Sequence, residues 1–250
     1  MLNPYEERVV ICLPTYNEQD TLAPLTREIF KFVPEAVILV IDDASPDGTG
    51  LIAEALAGKD ARIRVLHRKV KDGLGRAYSA GFVHALAEFE PSVIVQMDAD
   101  FSHPAAALPG LLDKIGGHDL VIASRYVAGG GTENWNIFRR LISRFGSFYA
   151  RCWLGLPVHD LTSGFKVWRS DMLARVMREP VSGGGYVFQV ETTLIASCLG
   201  ARIVEMPFVF TDRQLGRSKM SAAIALEAFW RLPCLAFRHR HDRQSNKKGE

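Results

Sequence analysis

Val93-Ile94-Val95-Gln96-Met97-Asp98-Ala99-Asp100 is the stretch that decides the fold. An apolar run of strand length ending in carboxylates at i and i+2 reads as a buried strand. It carries hard oxygen ligands to its carboxyl end, where open α/β sheets bind their ligands. A divalent metal and a phosphorylated substrate are the chemistry such a pair suits. Standing alone, an Asp-x-Asp is more often a pair of solvated loop acids. A second acidic turn shifts that balance, because Asp42-Asp43-Ala44-Ser45-Pro46-Asp47-Gly48-Thr49 follows directly on another apolar run, residues 36–41.

Outward from these two turns, strand-like and helix-like runs alternate. Residues 9–13, 36–41, 62–66, 93–97 and 119–123 are strand-like, and 21–32, 49–57, 75–88 and 105–115 carry helical periodicity. This alternation predicts an α/β fold with a mainly parallel central sheet and helices on both faces, with function at the strands' carboxyl ends. Beyond Tyr126 the texture changes to Gly129-Gly130-Gly131, an aromatic helix-like stretch over 136–154, and Ser182-Gly183-Gly184-Gly185. The glycine runs read either as mobile loops or as plain connectors.

With 250 residues, 48% hydrophobic and 23% charged, the chain can bury a full core, and one large domain with a small extension fits best. A formal net charge of +2, with no basic concentration before the C-terminal tail, gives no nucleic-acid footprint. Cys12, Cys152, Cys198 and Cys234 lie far apart without a Cys-x-x-Cys pair, which argues against a zinc site or a disulfide framework. Residues 1–8 lack the apolar core of a signal peptide, so a cytoplasmic location is expected. Gly48-Thr49-Gly50-Leu51-Ile52-Ala53 matches a dinucleotide fingerprint in form only. Six residues rich in acid and proline separate it from the strand and would repel a pyrophosphate.

Three strand-end motifs occur in order: Pro14-Thr15-Tyr16-Asn17-Glu18, then Asp42-Asp43-Ala44-Ser45-Pro46-Asp47-Gly48-Thr49, then Asp98-Ala99-Asp100-Phe101-Ser102-His103-Pro104. In this order the chain resembles the family 2 glycosyltransferases of the GT-A (Rossmann-like) fold, and within them the dolichyl or polyprenyl-phosphate mannose synthases. Ala123-Ser124-Arg125-Tyr126, Asp160-Leu161-Thr162-Ser163-Gly164-Phe165, and Asp212-Arg213 with Gly216-Arg217-Ser218-Lys219 extend the resemblance over residues 9–220. It implies a catalytic domain over 1–220 and a C-terminal helical extension with a basic tail over 221–250.

The resemblance also implies a metal-dependent, inverting transfer of a hexose to a polyprenyl phosphate, with mannose from GDP-mannose favoured. UDP-glucose or a UDP-aminosugar is the alternative donor. Asp98 and Asp100 become the ligands of Mg²⁺ or Mn²⁺, with Asp100 the sharper metal candidate and Asp98 placed to share the metal or a ribose contact. Some relatives have Gln where this chain has Ser102, a poorer ligand. For the nucleotide, Asp43 corresponds to a base or ribose contact, Tyr16 to an aromatic face and Glu18 to an acceptor, with the Pro14 and Ile41 backbones and Ala99 lining the slot. Asp47-Gly48-Thr49 fits a turn and helix cap better than a ligand.

Arg125, Arg139 or Arg140, Arg213 and Lys219 form the cationic set implied for the phosphate-bearing substrates. A phosphate monoester is largely dianionic near neutrality, so it attacks without a general base. Asp160 is the rival base, or a residue that orders its loop; His103 reads as a helix-start residue. Residues 221–237 are apolar but hold Glu227, Arg231 and Pro233, too interrupted to span a membrane. They read as an interfacial helix or a packed one, making the protein peripheral at the cytoplasmic membrane face, with a membrane subunit as a conceivable recruiter. Two other classes are weighed: a phosphohydrolase with Asp98 as nucleophile, and a noncatalytic sugar-nucleotide binding protein.

Overall fold

The computed structural model describes residues 8–135, 137–181 and 185–211. The chain runs β1 (Val9–Thr15), α1 (Leu22–Phe32), β2 (Val37–Asp42), α2 (Thr49–Ala57), β3 (Ile63–His67), α3 (Leu74–Glu88) and β4 (Val93–Gln96). A 3₁₀ turn at Ala105–Ala107 enters α4 (Leu108–Ile115), followed by β5 (Leu120–Ser124), β6 (Gly131–Glu133) and α5 (Ile137–Leu154). Then come β7 (Lys166–Arg169), α6 (Ser170–Arg178), α7 (Gly185–Cys198), β8 (Ile203–Pro207) and β9 (Val209–Thr211).

Seven strands form one sheet in the order β3-β2-β1-β4-β7-β5-β8, and β6 pairs with β9 in a small second sheet. Every neighbour pair of the large sheet is parallel except β4–β7 and β7–β5. The near-continuous apolar strands are covered on both sides, as a parallel sheet requires. In β1, Val10 and Cys12 enter the core with Tyr78 and Phe82 of α3 and Phe188 of α7; Val9, Ile11 and Leu13 enter the opposite core with α1 and α4. Rings of Tyr78, Phe82 and Phe188 stack at centroid separations of 5.6–6.4 Å.

The expected parallel α/β architecture is present. Its first five strands start or end within two residues of the sequence reading, because β1 and β2 extend the ladder to Thr15 and Asp42. β7, short and carrying a lysine, has no strand signature of its own. The expected extension over 221–250 lies outside the described residues.

Packing of α3 on the sheet depends on a glycine. A Cβ at Gly81 would stand 2.1 Å from Ile41 Cδ1, within a fully buried contact. Gly81→Ala is therefore expected to lower unfolding stability by about 1–3 kcal/mol through overpacking. Gly117→Ala, with open space around its Cβ, serves as control; chemical denaturation of both variants compares them.

Candidate active site

The order β2-β1-β4 places a topological switch point beside β1, and the loops leaving β1, β2 and β4 meet at that edge. Each holds a non-glycine residue in the left-handed region: Asn17 at φ 60°, Ala44 at φ 57° and Phe101 at φ 64°. Such conformations persist only where surrounding contacts impose them, and they collect at functional sites. The contacts here are explicit. Successive backbone N–H groups of Asn17, Glu18 and Gln19 donate to Ser45 Oγ (3.3 Å), Thr49 Oγ1 (2.9 Å) and Asp47 Oδ2 (3.2 Å), fastening the first loop to the second. Thr49 in turn donates from its backbone N and its hydroxyl to Asp47 Oδ1. Asp47-Gly48-Thr49 thus serves the turn, as its composition implies, and hydrogen bonds hold the Asp47 carboxyl below its ordinary range although burial acts in the opposite sense.

The slot between β1 and β2 gathers most of the nucleotide candidates. Pro14 sits opposite Ile41 in the ladder, and the Asp43 backbone N–H donates to the Thr15 carbonyl at 3.0 Å. Asp43 is buried and paired with Arg68, which also grips Asp72. Burial pushes the Asp43 carboxyl up, with Arg68 pulling against it. Lys71 Nζ lies 3.4 Å over the Tyr16 ring, so the aromatic face expected for a base carries a cation here. Glu18 works locally: its carbonyl accepts from the Thr21 and Leu22 backbone at the start of α1, and its carboxylate accepts from Thr21 Oγ1 at 3.1 Å. Arg68 and Lys71 were not anticipated; two basic residues after a strand look like an ordinary solvated loop.

Asp98, Ala99 and Asp100 follow β4 directly, with Ala99 and Asp100 buried and Asp98 half-buried. Tyr78 of α3 donates its hydroxyl to Asp98 Oδ1 at 2.8 Å; burial, then the nearby Asp98, pushes the phenol far up and keeps it a donor. Asp98 N–H donates to His103 Nδ1 at 2.9 Å, and the ring stacks on Phe165 at 4.8 Å. His103 therefore orders the turn, in line with its reading as a helix-start residue. Asp100 Oδ1 accepts from the Ser102 backbone (3.1 Å) and hydroxyl (2.5 Å), so Ser102 orients the carboxylate. Among the described residues no three His, Cys, Asp or Glu side chains cluster as a metal cage. Two oriented carboxylates fit Mg²⁺ or Mn²⁺, which bind through one or two carboxylates with water and substrate phosphate completing the shell.

Antiparallel β7 starts where β4 ends, Gln96 pairing with Lys166, and this brings the 160–165 loop to the carboxylates. A Cβ on Gly164 would lie 3.5–3.7 Å from His103, Gln189 and Asp98 Oδ2. Behind them, Gln96 Nε2 donates to Gln189 Oε1 at 2.6 Å, while fully buried Lys166 donates to the Gln189 carbonyl (2.7 Å) and Thr193 Oγ1 (2.9 Å). Burial brings the Lys166 ammonium down to about 7, with Asp160 acting in the opposite sense. Tyr78, Lys166 and Gln189 escaped the sequence reading because each sits in an apolar run that reads as core.

On the far side, Arg125 follows β5 and forms a buried fork with Asp160. Arg125 Nε donates to Oδ2 and Nη2 to Oδ1, both at 2.7 Å, and Nη2 also reaches Thr162 Oγ1 at 2.7 Å. Glu205 fixes the turn by accepting from the His159 and Asp160 backbone N–H groups. The guanidinium that the resemblance assigns to a phosphate is here held by the Asp160 carboxylate through Nε and Nη2. Asp160 is fully buried and ion-paired with Arg125, and it holds the loop in place. Gly129-Gly130-Gly131 proves neither a mobile loop nor a plain connector: a Cβ on Gly130 would stand 2.5 Å from the Ser124 carbonyl oxygen, and Gly131 opens β6. Arg140 binds Thr132 through its side chain. The Arg139 side chain, Arg213 and Lys219 lie outside the described residues.

Residues 10–177 match Glycosyl transferase family 2. The chain belongs to that family. This family 2 glycosyltransferase is 47% identical over 221 residues to an undecaprenyl-phosphate mannosyltransferase of Micrococcus luteus, covering 88% of this chain and 90% of the relative. It is 42% identical over 239 residues to the polyprenol monophosphomannose synthase of Mycolicibacterium smegmatis, covering 95% and 90%. Its fold is that of glucosyl-3-phosphoglycerate synthase from Mycobacterium tuberculosis, solved with Mn²⁺, UDP-glucose and phosphoglyceric acid: TM-score 0.68, 18% identity, 93% of this chain and 80% of that one. The same enzyme with Mn²⁺, UDP and phosphoglyceric acid gives a TM-score of 0.70 at 19% identity, covering 93% and 79%. Membership of a transferase family sets aside the phosphohydrolase and the noncatalytic binding protein.

Two outcomes follow from the buried charges. Asp160→Ala should cost about 3–5 kcal/mol by stranding Arg125, whereas Asp160→Leu combined with Arg125→Met should cost clearly less; urea denaturation of the cycle measures both. For Lys166, the ordinary value is 10.5 and the folded value about 7, so the unfolded chain binds the extra proton between them. Stability from this group then rises with pH across that window, and Lys166→Met should flatten the rise when denaturation midpoints are compared at its two ends.

Proposed function

We propose that this glycosyltransferase moves mannose from GDP-mannose to a polyprenyl phosphate, with inversion at the anomeric carbon and dependence on Mg²⁺ or Mn²⁺. The observation that carries the reading is the oriented pair Asp98 and Asp100 at the switch point, in a chain more than two-fifths identical to enzymes named for polyprenyl-phosphate mannosyl transfer. Asp100, and Asp98 beside it, would hold the ion. When bound, it neutralises charge on the diphosphate leaving group. The Mn²⁺ in the structurally similar synthase supports a divalent ion.

The chain's own residues supply orientation and charge. Pro14, Ile41 and Asp43 border the slot for the nucleoside, and Tyr16, capped by Lys71, adds an aromatic wall with a positive edge toward phosphate. Tyr78 and Ser102 hold the carboxylates in place before substrate arrives, which removes reorganisation from the reaction. Arg125, with its plane fixed by Asp160, orders the acceptor side, while Arg213 and Lys219, outside the described residues, are assigned positive charge for the phosphate-bearing substrates. A lipid phosphate with a second pKa of about 6 is already the nucleophile at neutral pH. The commitment of Asp160 to Arg125 fits a reaction without a protein general base. A lipid acceptor also makes the protein peripheral to a membrane; among the described residues no helix is long and apolar enough to cross one.

Incubation with polyprenyl phosphate, Mg²⁺ or Mn²⁺ and a panel of radiolabelled sugar nucleotides should move label from GDP-mannose into the organic phase, giving a β-linked product by NMR. Asp100→Asn should reduce turnover at least about a hundredfold while leaving the fold intact. Label entering from a UDP donor instead would correct the donor, and transfer undiminished by chelator would remove the metal.

A further inference from the structure

α5 has three different faces. Ser143, Ser147, Ala150 and Leu154, three or four residues apart, turn inward: Ser143 accepts from Tyr126 at 2.5 Å, and Ser147 meets Thr162 at 3.4 Å, next to Arg125. Ile137, Leu141, Phe145 and Phe148, at the same spacing, turn outward together with Ile142. Leu141 is 58% exposed, and Phe145 and Phe148 are each 61% exposed. Along the border between the faces runs a basic stripe of Arg140, Arg144 and Arg151. Large exposed apolar residues elsewhere, such as Leu51 and Val70, are scattered over separate elements, whereas α5 gathers half of those among the described residues. Single exposed apolar side chains need no explanation, but a contiguous set with an ordered basic border does.

From this arrangement we infer that the outer face of α5 docks the protein flat on an anionic membrane surface. An apolar face with aromatic residues, edged by arginines, on a helix that does not qualify as a span, has the make-up of an interfacial helix. The arginine border is complementary to anionic headgroups. Its place in the fold points the same way. The inner face of the same helix carries the hydroxyls that reach Tyr126 and Thr162, so seating the outer face sets the Arg125 side of the site near the headgroup plane. This last step rests on the lipid-acceptor reading above; the chemistry of the face does not. This docking element is a helix inside the catalytic domain, distinct from residues 221–237, which the sequence left as interfacial or packed and which lie outside the described residues.

Cys152, exposed on the outer face, provides the reporter. Cys12 is buried, with its thiol pushed up by burial, and does not compete for label. The full chain with Cys198→Ser and Cys234→Ser, carrying an environment-sensitive dye on Cys152, is mixed with phosphatidylcholine vesicles containing phosphatidylglycerol. No sugar nucleotide or acceptor is present, so docking is read independently of transfer. The dye emission should shift to the blue, less so with phosphatidylcholine alone. Phe145→Glu with Phe148→Glu should lower the vesicle-bound fraction about tenfold or more. Transfer to a short-chain, water-soluble polyprenyl phosphate should be unchanged in that variant, which also demonstrates folding. Three results would each overturn the inference. One is sedimentation with vesicles while the dye stays unmoved, which assigns docking to another segment. Another is a dye already blue in the monomer without vesicles, which means the chain covers its own helix. The third is light scattering in which the double variant splits a dimer while vesicle binding persists, which makes the face an interface between copies. Loss of transfer with docking intact would instead count against the proposed activity.

Discussion

The position of β1 between β2 and β4 is the constraint on which the rest depends. β1 is buried throughout, so its neighbours must receive their connecting helices on opposite faces of the sheet, and the chains leaving the strand ends diverge. A crevice opens at that edge without any residue being removed to make it. Everything that carries chemistry is brought to this edge by a ladder: Thr15 beside Asp42, Gln96 beside Lys166, Ser124 beside Pro207. The sheet sets where the groups are, and the loops only set how they point.

Loop conformation at such a crevice has a cost, which the structure meets locally. Three non-glycine residues with positive φ are tolerated because the backbone at or next to each is fastened: Ser45 Oγ accepts from the Asn17 N–H, Asp42 from the Ser45 N–H, and Asp100 from the Ser102 N–H. At Ala44 and Phe101 the fastening uses an aspartate one or two residues from the strained position, the kind of local hydrogen bond that Asp forms well, whereas Asn17 is held by Ser45 from the neighbouring turn. The acidic and hydroxyl residues of these turns thus have two separate duties. Asp47 and Thr49 shape the backbone, whereas the carboxylates of Asp43, Asp98 and Asp100 are held by Arg68, Tyr78 and Ser102.

What could be read from sequence follows the range of the interactions involved. The alternation of strands and helices, the strand-end turns and the turn role of Asp47-Gly48-Thr49 are set within a dozen residues, and they were legible; α2 itself has Gly48 at its N-cap and no side-chain cap hydrogen bond. Arg125 and Asp160 were each singled out, but their pairing across 35 residues was not. Gly130 reads as a connector until the Ser124 carbonyl is seen against it. Strands β6 and β9, of three residues each, are too short for any period to register. The amphipathic pattern of α5 was visible as a helix, yet which apolar residues face the core and which face outward is settled only by what packs on it.

β7 poses the sharpest question, because an antiparallel strand inserted in a parallel sheet carries a fully buried lysine where an aliphatic residue would be cheaper. The network of Gln96, Lys166, Gln189 and Thr193 is not even complete: Gln96 Oε1 lacks a hydrogen-bond partner among the described residues. Such a cost is consistent with specificity. In an alternating strand a slip of one residue exchanges the two faces, and Val167 and Trp168 are both apolar enough to accept either core. Lys166 cannot, since only the backbone carbonyl of Gln189 and the Thr193 hydroxyl on one side satisfy its donors. A single buried lysine therefore opposes a slip of β7 against β4. Through the one intervening residue, Phe165, that register sets the distance of Gly164 from Asp98 and its companion His103.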